Sequence, residues 1–573
     1  MGYLEKLSNS LVAAALVLSL ASCGDSRDKQ EQAALEAVSE SVLLAYAPAD
    51  TPYVFANSRP FPQALTEKLL LNADAELAHA AGEMQKAIET GPFDTPEEKQ
   101  LMLLAQAVVA ELQGKMSADG LASLGLLIDG KSLVYGMGVL PVIRAEIGDA
   151  QKVQELISRV EQRSGMAAQQ QRLGEQAYRR FDLEQLVGIM AVTDKHLVAA
   201  LLPAKAEAEL LPLVLGNSMP TPSLADNDTF KRMIADNGYL GYGEGYIDLV
   251  KFSEFALGES QGTNAMIFSA LDGAPADLSP ACNRMVKDLV QSVPRVTGGF
   301  TEVADKSYSL KAVVETSAPV AARLQRIASP VPGVGIENDA MLSLGLALNL
   351  PELRDALKAG MLSVMEQGKG CEMVDEQEMT QSIQGLDILF NPMVTGLKGL
   401  NLQVNDVIFD PQNVTPKFVD ALLLLAADDP RSVSGMLSML HHKFTQLRIP
   451  ADGTPVVLPL EELSPDAPVT HIAIKEKALV VSTGGDAKAK SAAAFSAPLA
   501  APAPILAVNY NGARLLERLS AVEDQVMQNI QGDEDMLAGY RGFKDSSKTY
   551  GPVSVRVTGT DKGLVIDQSV MLQ

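Results

Sequence analysis

Nucleophiles, metal ligands and phosphate cradles are scarce in these 573 residues. Gly258-Glu259-Ser260-Gln261-Gly262 fits the Gly-x-Ser-x-Gly string of serine hydrolases. That string works when a strand before it and a helix after it hold the serine on a strained, exposed turn. Here it follows the helical stretch FSEFAL and precedes polar residues, so it reads as a loop. Gly241-Tyr242-Gly243-Glu244-Gly245 is glycine-rich but lies inside a strand pattern, where glycine marks a bulge or close packing rather than a phosphate cradle. Histidines are few. His441 and His442 are adjacent, so on a helix they point apart and do not share a face as His-x-x-x-His would. They read instead as a favourable charge at a helix C-terminus. His196 and His471 fall at non-equivalent places in two similar hairpins. Asp428-Asp429 and Asp533-Glu534-Asp535 are acidic turns without the spacing of an EF-hand loop. No catalytic residue, no metal ligand and no cofactor is therefore assigned.

Chemistry of another kind is written at the N-terminus. A polar opening with Glu5 and Lys6 is followed by Leu11–Leu20, LVAAALVLSL. This run is too short to cross a hydrocarbon core about 30 Å thick as a helix, and it matches the apolar region of a cleavable secretory signal. It ends in Leu20-Ala21-Ser22-Cys23, which resembles the lipobox of bacterial lipoproteins. The resemblance implies cleavage between Ser22 and Cys23 and acylation of Cys23. A single acyl chain binds a bilayer marginally and two or more anchor stably, each buried methylene contributing about 0.8 kcal/mol. In enterobacterial lipoproteins an aspartate directly after the cysteine retains the protein in the inner membrane. Here Gly24 stands there and Asp25 comes one place later, which implies the outer membrane, facing the periplasm. Residues 1–22 are thus read as signal peptide and 23–45 as a polar tether.

Cys282 and Cys371 remain, an even pair in an oxidising compartment. Each precedes a helical stretch that leads toward a hairpin, so a disulfide between them is expected. Two separately buried thiols, or a bond between two molecules, are the alternatives.

A formal net charge of -24 argues against nucleic acid, which demands a basic surface, and against a body lying flat on anionic lipid. With no tryptophan and 5% aromatic residues, a stacking site for sugars is poorly supplied.

The elements that would carry any site repeat along the chain. PVIRAEIGDAQKVQELISRV (141–160) resembles ALLLLAADDPRSVSGMLSML (421–440), each a strand, an aspartate turn and an apolar-striped helix. Downstream, IMAVTDKHLV (189–198) resembles HIAIKEKALV (471–480), each a hairpin, at nearly the same offset. A looser strand-then-helix pattern begins at Tyr53, Tyr239, Met341 and Ile505. Thr95-Pro96-Glu97-Glu98 offers a capped start for a helical hairpin inserted in the first unit. The expectation is an α+β class, internally duplicated, with antiparallel sheets backed by helices. The first half spans 46–333, with units 46–235 and 236–333. The second spans 334–573, with units 334–500 and 501–573.

Pro48-Ala49-Asp50-Thr51, leading into Tyr53-Val54-Phe55-Ala56, is similar to the residues that lead into strands in a bacterial envelope family of unknown function. In the second half Glu337-Asn338-Asp339-Ala340 replaces that lead-in. The resemblance implies no activity. A non-enzymatic binding or assembly lipoprotein that partners another envelope protein is the leading expectation. A carrier of an apolar ligand and an enzyme with scattered residues are the alternatives. The anchor is directly testable: Cys23→Ser should abolish metabolic labelling with a radioactive fatty acid, and persistent labelling would remove the assignment.

Overall fold

Alternating apolar residues set the strands of this computed structural model, which describes residues 27–573 apart from 40, 92, 94–95, 167, 274, 413, 433–434, 436–446 and 461–467. The described chain gathers into two compact units. One takes residues up to Asp277 together with Pro294–Lys311, and the other takes Leu278–Val293 with Ala312–Gln573.

The first unit contains β1 (Tyr53–Asn57), β2 (Ser132–Met137), β3 (Leu140–Glu146), β4 (Gln169–Leu173), β5 (Gln176–Leu183), β6 (Leu186–Val192), β7 (His196–Pro203), β8 (Tyr242–Asp248) and β9 (Arg295–Ala304). Neighbours pair antiparallel in the order β9-β8-β1-β2-β3-β7-β6-β5-β4. Period-two alternation puts Val54, Tyr135, Val142, Ala200 and Ile189 in one cross-strand row, and all are buried. Helices α1 (Arg27–Ser39), α5 (Glu207–Leu215) and α6 (Thr229–Asn237) contribute to that core. Between α1 and α5 in sequence lie α2 (Gln63–Thr90), α3 (Pro96–Leu112) and α4 (Ala150–Ser164). Asp149 caps α4 by accepting from the Gln151 and Lys152 N–H groups, and Gly165 ends it at φ 71°. Val153 and Ile157, one turn apart, pack toward Met190 and Leu197.

The stretch read as a tether is helical from Arg27. Ala34 and Val38, four residues apart on α1, are buried, and Leu43, Leu44 and Ala47 follow them into the core. The Pro-Ala-Asp-Thr lead-in works as a fastening. The Ala49 N–H donates to Pro222 O at 3.0 Å. Asp50 Oδ2 accepts from the Thr263 N–H at 3.0 Å. The buried Thr51 hydroxyl accepts from the Gly136 N–H at 3.0 Å and lies 2.7 Å from Tyr53 O.

The second unit contains β11 (Leu342–Ala347), β12 (Leu397–Phe409), β13 (Pro416–Ala427), β14 (Val456–Leu458), β15 (Thr470–Lys475), β16 (Ala478–Thr483), β17 (Leu506–Asn511), β18 (Tyr550–Thr560) and β19 (Gly563–Leu572); β10 (Ser307–Glu315) runs across the division of the chain. Its antiparallel order is β19-β18-β17-β11-β12-β13-β16-β15-β14. β12 and β13 run on together past the last pairs with their neighbours, Leu342↔Val404 and Ala421↔Thr483. Helices α7 (Pro280–Ser292), α8 (Leu350–Gln367), α9 (Glu376–Leu389) and α10 (Ala487–Phe495) belong to this unit. Both units are α+β with antiparallel sheets.

The Cys282 and Cys371 sulfurs are joined, with Cα atoms 4.7 Å apart. Ser279 caps α7 by accepting from the Cys282 N–H, and Met285, Val364 and Val374 pack around the bridge. The bond closes a sequence separation of 89 residues. Replacing both cysteines by serine should cost about 4 kcal/mol from restored loop entropy, read from the urea midpoint of the second unit's transition. A variant as stable as the parent would mean that the bridge constrains nothing in the unfolded chain.

Candidate functional site

In the second unit, β12 alternation sends Asn401, Gln403 and Asn405 to one face, beside Leu422 and Leu424 of β13. Helix α10 has the sequence AKAKSAAAF, and its small side chains allow close approach to the sheet. Ala493, Ala494 and Ala497, with Pro332, complete the walls of a half-open hollow of about 250 Å³. Lys490 stands at its edge, its Nζ donating to Asp420 Oδ1 and Thr483 O at 2.6 Å and to Gly484 O at 2.7 Å. Those three acceptors engage all three ammonium protons. Burial pushes the Asp420 carboxyl up, but hydrogen bonds from Lys490 and Asn405 and the Lys490 charge outweigh it and hold the group below its ordinary value. Asn401 is only 3% exposed; its Nδ2 donates to Pro332 O at 3.1 Å, while its Oδ1 has no partner. The Asn401 Oδ1 is itself closed off from the hollow, which presents polar Gln403, Asn405 and Lys490 beside Leu422 and Leu424. The lining contains no nucleophile or free base.

The glycine-rich string in the first unit is an anion nest filled from within. The N–H groups of Leu240, Gly241 and Tyr242 donate to Glu244 Oε1 at 3.1, 2.6 and 2.8 Å. Gly241 at φ 90° and Gly243 at φ 104° supply backbone that a side chain would strain. Glu244 Oε2 is buried without a partner. Burial pushes this carboxyl up to about 7 against the pull of the N–H groups. A register shift opposite Ala56 and Asn57 fits the bulge reading of this string; what that reading missed is the carboxylate enclosed by the Leu240, Gly241 and Tyr242 N–H groups.

Arg144 is a second buried charge. Its guanidinium lies 3.7 Å from the centre of the Tyr46 ring, and Nη2 donates to Val214 O at 2.6 Å. Burial lowers its pKa, and the Arg144 charge adds to burial in lowering that of His196.

The other sequence candidates do not converge. Ser22, Cys23, Thr95, His441 and His442 lie outside the described residues. Ser260 sits between two helices, Leu249–Ala256 and Gly262–Ala270, and its hydroxyl has no partner, so no base activates it. Asp428 pairs with Lys398, while Asp429 and Asp533 accept from backbone N–H groups at helix starts. Among the described residues, the group spaced for a metal is Cys282, Cys371 and Glu372, and the disulfide withholds both thiolates. Among those residues no helix is long and apolar enough to cross a membrane. No family model, curated protein or solved structure matches the chain.

Glu244 gives a pH test with a definite sign. Between the ordinary value of 4.5 and about 7 the folded protein holds a proton that the unfolded chain has released. Its contribution to stability is therefore full below pH 4.5 and lost as pH rises through about 7. Glu244→Gln keeps the acceptor oxygen and removes the titration. At high pH the variant should exceed the parent by up to about 3 kcal/mol, the gap closing on acidification. Parallel stability–pH curves would exclude a titrating Glu244.

Proposed function

We propose that this chain is a lipid-anchored protein of the bacterial envelope that binds or assembles with another envelope protein rather than catalysing a reaction. The anchor is Cys23 after cleavage at Ser22–Cys23, and the location is the outer membrane facing the periplasm. A disulfide between Cys282 and Cys371 suits such a compartment, because cytosolic thiols are kept reduced.

The observation that carries the binding role is the apolar surface of the α8–α9 hairpin. Leu362, Met373, Ile388 and Leu389 are 53%, 64%, 78% and 64% exposed, although water disfavours leaving such side chains open. Lys358 on α8 and Asp387 on α9 form an ion pair that ties the two helices together next to Ile388 and Leu389, while Met373 lies in the connection at the other end of the hairpin. A rigid apolar hairpin is a ready docking element for a protein partner, whereas the lining of the hollow under α10 lacks the groups a reaction requires.

An internal duplication fits the same reading, giving two related frames. Its support is the strand order: β9-β8-β1-β2-β3-β7-β6-β5 in the first unit runs as β18-β17-β11-β12-β13-β16-β15-β14 in the second, while β4 beyond β5 has no counterpart among the described strands. Register agrees as well: Ile143↔Ala199 and Ala145↔Leu197 in the first unit correspond to Leu423↔Val481 and Leu425↔Leu479 in the second. The offsets, about 280 residues, are those of the sequence match.

Photo-crosslinking in living cells tests the role. A crosslinker at Ile388 or Leu389 should yield one dominant envelope-protein adduct, and the same probe at Asp545, on the exposed part of another helix, should not. Ile388→Asp with Leu389→Asp should remove adducts trapped from a probe at Leu362 while leaving the unfolding midpoint within about 0.5 kcal/mol of the parent. Equal crosslinking from all positions would defeat the proposal.

A further inference from the structure

The N-terminal segment of the first unit determines how far an anchored body can stand from its membrane. It is fastened along its length. Ala34 lies against Gly241, where an added Cβ would come within 3.8 Å of the Ala34 Cα. Leu44 and Ala47 are buried, Tyr46 stacks on Arg144, and the Leu224 N–H donates to Ala47 O at 2.8 Å. Only Gly24, Asp25 and Ser26 separate Cys23 from the start of α1 at Arg27. Four residue spacings reach at most about 15 Å when fully extended. From Arg27 to Ala34 the helix adds about 10 Å at 1.5 Å per residue. The contact of α1 with the Gly241 loop therefore lies within about 25 Å of the acylated residue, whereas a free chain over 23–45 would reach about 75 Å.

We propose that the face of the first unit formed by α1 and α6 is held against the headgroup layer of the bilayer that receives the acyl chains. The inference rests on acylation at Cys23. With a net charge of -24, attraction to anionic lipid does not provide the contact. A covalent leash provides it, so the contact should not weaken as salt screens charge.

The test uses full-length protein purified with its lipid and inserted into phosphatidylethanolamine–phosphatidylglycerol vesicles. A fluorescent amino acid replaces the exposed Arg232 on α6, and a headgroup-labelled lipid accepts its energy. Transfer should be strong and should not fall between about 50 and 500 mM salt, whereas a contact held by charge attraction would be lost. A flexible Gly-Ser insert of about 20 residues between Ser26 and Arg27 should reduce it at least about threefold by lengthening the leash. Ala34→Glu, which undocks α1 without lengthening the chain, should also reduce transfer. Mass spectrometry of the N-terminal peptide separates the two ways of failing. An unacylated peptide would sink the anchor and the stand-off together. Acylated protein whose transfer ignores both changes would sink the stand-off alone.

Discussion

The pairing of β1 on both of its edges underlies the first unit. Five residues long, it hydrogen-bonds to β2 on one side and β8 on the other, and so joins segments almost 200 positions apart. A strand this short has little ladder of its own, so its start must be held by other means. Thr51 does this through Gly136, and Asp50 by taking an N–H at the start of the helix Gly262–Ala270. In the second unit β11 has the same place between β12 and β17, fastened differently. Asn338 Oδ1 accepts from the Ala340 N–H, and Arg514 donates to Asp339 O. The residues leading into β1 and β11 differ because several polar arrangements can fix where a central strand begins.

Among the described residues of the first unit, the buried charged side chains Glu244 and Arg144 are met without an oppositely charged side chain at hydrogen-bonding distance. Glu244 draws on three backbone N–H dipoles, and Arg144 on a tyrosine face and a carbonyl. Neither arrangement fully repays the cost of leaving water, as the opposed shifts of the two groups reveal. What they provide is position. The Glu244 nest shapes the loop on which α1 rests, and Arg144 holds the turn that follows α1. The docking of α1 and the burial of these charges are thus two aspects of one packing arrangement.

How much was legible in the residues depended on whether periodicity or composition carried the signal. The hairpins of β6–β7, β12–β13 and β15–β16 alternate clearly, and the units beginning at Tyr53 and Met341 fold as strand followed by helix. The β4–β5 hairpin escaped notice because QQQRL is polar on both faces and lies mostly exposed, where no apolar period survives. The docking of α1 was hidden for a related reason: among its described residues the buried stripe is marked by small Ala34 and modest Val38, with Leu35 partly buried beside them, after a polar and charged first half. The hollow beneath α10 arises when alternate amides of one strand meet alanines nearly ninety positions later, a convergence set by tertiary pairing. Helix α7 belongs to the second unit, where the Cys282–Cys371 disulfide joins it to the connection between α8 and α9.

The overhang of β12 and β13 beyond their neighbours has a consequence for how such a protein survives at high local concentration. Two strands that outrun a sheet leave main-chain groups open on both outer edges, a template for joining further chains into aggregates. Ile408 and Phe418, 48% and 40% exposed, add apolar weight to the hazard. Side chains occupy the edges instead. Arg514 donates to Asn405 O where β11 has stopped. Beyond the end of the β16 ladder, the Thr483 hydroxyl takes the Ala421 N–H and gives its proton to Val419 O. Register shifts at Val404/Asp406 and Ile408/Phe409 break the flatness that stacking requires. Pro416, which has no N–H to offer, and Lys417 stand at the tip, so the projection is shielded against self-association by its own residues.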